Sequence, residues 1–116
     1  MKQFLAVYTG TPGAFEKWKA LDETERKKRE EKGVKAWMDW GAAHAKATVV
    51  EGGPLGKTKR VGTDGVSDVK NNLAGYVVVE AASHEDAAKM FEHHPHFTIF
   101  PGDAVEIMEC LPIPAP

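Results

Sequence analysis

An α+β fold with element order βαββαβ is predicted for this 116-residue chain by three observations. Two apolar runs, KQFLAVYT at 2–9 and LAGYVVVEAA at 73–82, are short, rich in β-favouring residues and bounded by Gly, Pro or Asn, which marks them as strands. Between them, from Pro12 to about Ala47, apolar residues recur three and four apart, the spacing of a helix. Ser83 followed three residues later by Asp86 resembles a capping box that opens a second helix. This order folds most simply as a four-stranded antiparallel sheet with both helices on one face, the ferredoxin-like arrangement.

The first strand places Phe4, Ala6 and Tyr8 on one face and Leu5 and Val7 on the other, so both faces need cover. Thr11 is a cap for the first helical stretch, Pro12 fits the first helical position, a restart is expected near Asp22, and Gly33 marks a bend or break. The segment DETERKKREEK at 22–32 is charge-balanced. Asp22 and Arg26, Glu23 and Lys27, and Glu25 and Arg29 stand four apart as opposite-charge pairs, which describes a solvated helix face and not a binding tail. Further on, Trp37, Trp40 and His44 share one face while Val34, Met38, Ala42 and Ala45 form a second apolar stripe. A helix apolar on two sides sits between two surfaces.

ATVVEGGPLGKTKRVG at 47–62 gives a short strand ending at Gly52, Gly53 and Pro54, followed by a polar hairpin through TDGVSDVKNN. These glycines fit turn geometry. No Gly-Lys-Ser/Thr element opens a helix, so phosphate binding is not indicated. In the third strand Tyr76, Val78 and Glu80 alternate with Val77, Val79 and Ala81, and the second helix should run from His84 to about Glu92. The last strand, AVEIMECL at 104–111, alternates Met108 and Cys110 with Val105 and Ile107, which makes Cys110 an inert interior thiol, and the prolines of the tail at 112–116 exclude helix. Neither sheet face is polar, and two helices cover only one. A homodimer through the sheet faces is therefore expected.

Composition narrows the function classes. Hydrophobic residues make up 42% of the chain, ordinary for one globular domain over residues 1–116. A formal net charge of -2 argues against nucleic acid, and the cluster Lys57, Lys59 and Arg60 is too small to reverse that. RNA recognition on such a topology would also require sheet aromatics in a basic surround. The lone Cys110 forms no internal disulfide, and the N-terminal apolar run is too short for a signal peptide or membrane span, so a cytoplasmic protein with no membrane partner is expected.

Candidate chemistry centres on FEHHPHFTIF at 91–100. The residue before a proline is held extended, so His94 and His96 should point the same way and His93 elsewhere. Two convergent imidazoles can serve as acid and base, which makes His94 and His96 the catalytic candidates. A zinc site needs three or four ligands, and only His44, His84 and Cys110 remain to complete one, so no metal is expected. The plainer reading is a polar turn with one histidine bonded to backbone. Trp37, Trp40 and His44 form a flat wall suited to a small aromatic or partly apolar ligand, against the simpler alternative of core or dimer packing. Asp39 is rotated off that wall and stands five residues from His44, a poor dyad. Glu80, on the face of Tyr76, would be a carboxylate near the barrel interior or merely an exposed strand end.

The succession of Trp37-x-x-Trp40, the strand end EGGPL, LAGYVVVEA, His94-Pro95-His96 and GDAVEIMECLP resembles the YCII-related (DGPF-type) family of small dimeric α/β-barrel proteins. The resemblance runs from the first strand to Leu111. It implies a ferredoxin-like protomer dimerised through its sheets, with a cleft between the first helix, the strand carrying Gly52-Gly53-Pro54 and the segment after the second helix. Some members are enzymes with a His and Asp pair, whose positions here hold Ala36 or Trp37 and Ala45. An Asp-Pro common after the second helix is replaced by His94-Pro95. The pocket expected on this basis is lined by Tyr8, Trp37, Trp40, His44, Gly53, Glu80 and Pro95, with no cofactor. Two functions follow: a small-molecule-binding protein using His-mediated proton transfer, or a non-catalytic dimeric accessory module in which the same residues pack the fold. A monooxygenase on the same barrel would need an oxidisable substrate or haem, and no residue demands either.

Overall fold

The computed structural model describes all residues, 1–116. Strand β1 (Lys2–Gly10) is followed by helices α1 (Pro12–Lys19) and α2 (Glu23–Ala43), strands β2 (Thr48–Pro54), β3 (Thr58–Gly62), β4 (Gly65–Val69) and β5 (Leu73–Ala81), helices α3 (His84–Lys89) and α4 (Pro95–Thr98), and strand β6 (Gly102–Glu109). Strands β2, β5, β1 and β6 form one antiparallel sheet in that order, and β3 pairs only with β4. With the β3–β4 hairpin set aside, this is the ferredoxin-like βαββαβ topology.

Local chemistry explains the helix starts. Thr11 Oγ1 accepts from the Ala14 amide at 3.2 Å with Pro12 at the first helical position, Asp22 from the Thr24 amide at 3.1 Å, and Ser83 from the Asp86 amide at 3.1 Å. Gly33 corrects the expectation of a break. Helix α2 runs unbroken through it, Gly33 is buried, and a Cβ there would lie 2.5 Å from the Phe100 ring. The glycine serves the close approach of the 99–100 segment.

Register settles which residues are buried. Ala6 lies opposite Val77 and Ile107 on the helix side, whereas Leu5 lies opposite Val78 and Met108 on the other. The core is accordingly Phe4, Ala6 and Tyr8 with Val77, Val79 and Ala81, closed by Ala87 and Phe91, and Trp37, Trp40, Met90, Val105 and Ile107 pack around it. Complete burial of a side chain such as Phe4 contributes roughly 2–3 kcal/mol. His84 ties α3 to the sheet: its Nε2 donates to the Ile107 carbonyl at 2.7 Å and its ring stacks on Phe4. Cys110 departs from expectation, since β6 ends at Glu109 and the thiol is exposed.

The chain exposes 8430 Å². A compact monomer of 12.7 kDa exposes about 6,200 Å². Part of the excess is the hairpin arm, whose strands make their main contacts with each other through the Lys59–Asp68 and Arg60–Asp64 ion pairs and leave Val61 and Val66 exposed. The radius of gyration is correspondingly 16.3 Å, against about 13 Å for a compact chain of this length. No helix is long and apolar enough to cross a membrane.

Candidate functional site

The site is organised by the chain between α3 and β6. Trp40 Nε1 donates to the Met90 carbonyl at 2.8 Å, fixing the end of α3 against α2. His93 then adopts φ +59°, a left-handed residue that reverses the chain and leaves its own ring exposed. His94 has the extended backbone that a residue before proline prefers, and Pro95 opens the single turn of α4. His94 Nδ1 accepts from the His96 amide at 2.9 Å, the capping role more often taken by Asn or Asp. Alternation along an extended run does not align the two imidazoles, as the sequence pattern had predicted; the capped turn of α4 does. Both rings lie 5.1 Å from that of Tyr8.

Around them the aromatic side chains interlock. The His94 ring meets Trp37 edge-on at 4.5 Å and Trp40 at 4.8 Å, and Tyr8 packs on Trp37 at 4.9 Å. His94 is fully buried and His96 is 6% exposed. Gly102 makes room for this, because a Cβ there would overlap the His96 ring and carbonyl. Gly75 does the same on the far side of Tyr8, where a Cβ would lie 3.3 Å from Tyr8 Cδ2 and 3.0 Å from the Gly53 carbonyl oxygen.

Hydrogen bonding fixes the tautomers. His94 Nδ1 is an acceptor, so the proton of the neutral ring is on Nε2, 3.4 Å from the Tyr8 hydroxyl. His96 Nε2 donates to the Thr9 carbonyl at 2.7 Å, which leaves the lone pair on Nδ1. No side chain in the molecule has a buried nitrogen or oxygen without a partner, and His96 Nδ1 has none in the chain, so it reaches solvent. Burial pushes the His94 imidazolium down from 6.5 to about 4, helped by the nearby His96 and His44. Burial also lowers His96, with the Thr9 carbonyl and Asp103 opposing it, and desolvation raises Tyr8 above the ordinary phenol range. At neutral pH His94 is a neutral imidazole and Tyr8 a neutral phenol. The assembly offers a free imidazole lone pair at His96, while Tyr8 accepts from His94 and keeps its own proton uncommitted.

Of the residues expected from sequence, Tyr8, Trp37, Trp40, His94, Pro95 and His96 come together. His44 lies at the outer edge, its ring tilted against that of Trp40 at 4.5 Å, with Nδ1 donating to the Trp40 carbonyl at 2.8 Å. Gly53 pairs with Tyr76 in the sheet, and its carbonyl oxygen would lie 3.0 Å from a Cβ at Gly75. Glu80 does not join them, because it alternates with Val79 and Ala81 and projects from the opposite sheet face. Asp39 is exposed and paired with Lys35. No three His, Cys, Asp or Glu side chains are grouped to hold a metal ion. Sequence reasoning missed Gly102, Gly75, the Thr9 carbonyl and Phe100, which packs on Trp18 and Trp37. Only the Pro101-Gly102 pair before the last strand carried a local signal.

The chain matches no family model and no curated protein. Among solved structures it is similar to 5-chloro-2-hydroxyhydroquinone dehydrochlorinase from Burkholderia phenoliruptrix AC1100 in complex with 2,5-dihydroxybenzoquinone. The TM-score is 0.53 at 19% identity, over 91% of this chain and 90% of that one. At that identity the likeness shows a shared fold.

Proposed function

We propose that this chain is a YCII-like protein that binds a small oxygenated ring compound beside α2 and transfers a proton through His96. The observation that carries this reading is the Nδ1 lone pair of a neutral His96, free of any partner in the chain, on a ring held by its Thr9 bond with its centroid 5.1 Å from that of Tyr8. Together they offer an acceptor for a ligand hydroxyl and a donor for a ligand carbonyl, with the Trp37 and Trp40 rings as apolar walls. His94, with both nitrogens committed and no exposure, is a positioning residue. The order of motifs supports the family, and the quinone bound to the structurally similar dehydrochlorinase supports the ligand class. Leu5, Val7, Tyr76, Val78 and Met108 give the open sheet face an apolar centre, which it shares with Glu80 and Glu106, and this supports pairing with a second copy.

A second reading is favoured by a specific observation: both imidazoles are buried among aromatic rings and bonded to backbone, as packing residues would be. In that case the chain is a non-catalytic dimeric module. The two separate on titration of 2,5-dihydroxybenzoquinone against wild type and His96→Gln by calorimetry. Saturable binding weakened at least about tenfold in a folded His96→Gln protein, roughly 1.4 kcal/mol, supports the first. Binding that is absent, or equal in the two proteins, leaves the packing role.

A further inference from the structure

Helix α1 leaves the sheet beside the His96 ring. Gly10, the last residue of β1, pairs with Gly102, against which that ring lies, and the Thr9 carbonyl holds His96 Nε2 at 2.7 Å. Two residues after Gly10 the helix begins. Its Trp18 ring meets Phe100 at 5.9 Å, Phe100 meets Trp37 at 6.0 Å, and Trp37 meets His96 edge-on at 6.1 Å. With this aromatic series closed, His96 is only 6% exposed, an edge of the ring and not a face.

The helix itself is lightly held. No residue of α1 is buried; Ala14 and Trp18, one turn apart, are partly covered, and the other six are exposed. Its main ties to the rest of the chain are the Trp18–Phe100 contact, the approach to the start of β6, and the Arg26 guanidinium donating to the Lys19 carbonyl at 3.2 Å. A helix of eight residues is marginal in water without packing. Segments with few buried apolar contacts open at the smallest cost in free energy.

We propose that α1 is a lid, whose opening with Trp18 is the step that admits small molecules to His96 Nδ1. Closed, it shuts solvent away from the Phe100 and Trp37 rings; open, it presents those rings and the imidazole edge together. The ring compound that would enter is that of the proposed function, on which this one clause rests. The opening of α1 does not depend on it.

Diethyl pyrocarbonate, which acylates neutral imidazole, reads the opening without that ligand. The full chain is compared with Trp18→Ala and Gly13→Ala at neutral pH, taking the rate at His96 relative to exposed His93 by fragment mass spectrometry, beside hydrogen exchange of the α1 amides. Loss of the Trp18 ring contact should raise both His96 reactivity and α1 exchange by about two- to tenfold. Gly13→Ala, where a Cβ meets nothing within 4 Å, should lower both by about two- to fivefold. Trp18→Ala would also thin a static cover, so the fall in Gly13→Ala, remote from the imidazole, is the decisive result. His96 reactivity that stays constant while α1 exchange changes overturns the lid. So does α1 exchange that neither variant alters, since the helix then does not open as a unit. None of these readouts involves 2,5-dihydroxybenzoquinone, so failure of that compound to bind is a separate result that bears on the proposed function alone.

Discussion

Acid should weaken this protein through His94, by an amount the structure sets. The ring is fully buried and its pKa is pushed down to about 4, whereas in the unfolded chain it returns to 6.5. Between those values the unfolded state binds a proton that the folded state does not, so stability is whole above about pH 6.5 and is lost as pH falls towards 4. For those two values the loss from His94 between pH 8 and pH 4.5 is about 2.5 kcal/mol. His94→Asn removes the titration while keeping an acceptor for the His96 amide, since Asn is a good helix cap. It leaves a void among Trp37, Trp40 and Tyr8, so the variant starts less stable, by about 2–3 kcal/mol at neutral pH. The informative quantity is the change with pH. Denaturant unfolding followed by tryptophan fluorescence at pH 8 and pH 4.5 should show wild type losing about 2.5 kcal/mol more than His94→Asn. Groups remote from His94 are common to both proteins and cancel to first order. Equal losses would refute the reasoning.

Three further outcomes are expected. Gly102→Ala drives a Cβ into the His96 ring and should cost about 1–3 kcal/mol in denaturant unfolding, with a changed His96 chemical shift on NMR titration. Gly33→Ala would stabilise an exposed helix by about 1 kcal/mol, but here it meets Phe100 and should destabilise; in a Phe100→Ala background the sign should revert. Replacing 58–69 by a short Gly-Ser turn removes an arm that packs mainly on itself. The melting temperature should change little, because the backbone bonds Leu55 to Ala74 and Gly10 to Asn72 hold the base of the arm.

The strands and helices were legible because both periodicities are strong and the caps are local: Thr11, Asp22 and Ser83 each accept from an amide two or three residues on. Gly33 shows where that legibility stops. A glycine inside a helical pattern reads as a break, and what explains it, the Phe100 ring, lies far along the chain. Glu80 failed similarly. Alternation placed it correctly on the face of Tyr76, but the histidines gather on the other face, and nothing near Glu80 in sequence says so. The convergence of His94 and His96 was anticipated for an incomplete reason. Proline does hold His94 extended, yet the alignment comes from its capping of the turn that Pro95 begins.

The sequence treats His94 and His96 as interchangeable candidates, and hydrogen bonding separates them. Each ring has two nitrogens, so a neutral imidazole that engages both within the protein has none left for a ligand. His94 spends Nδ1 on the His96 amide and faces Tyr8 with Nε2. His96 spends only Nε2, on Thr9. Under the proposed function, His96 is therefore the proton-transfer group, and His94 acts through the position of His96 and the polarity of the Tyr8 hydroxyl. Burial lowers the basicity of His96, which keeps it neutral and able to accept, while the Thr9 carbonyl and Asp103 favour the imidazolium once a proton arrives. Such opposed influences suit a base that both receives and returns a proton near neutral pH, the role that the proposed function gives His96.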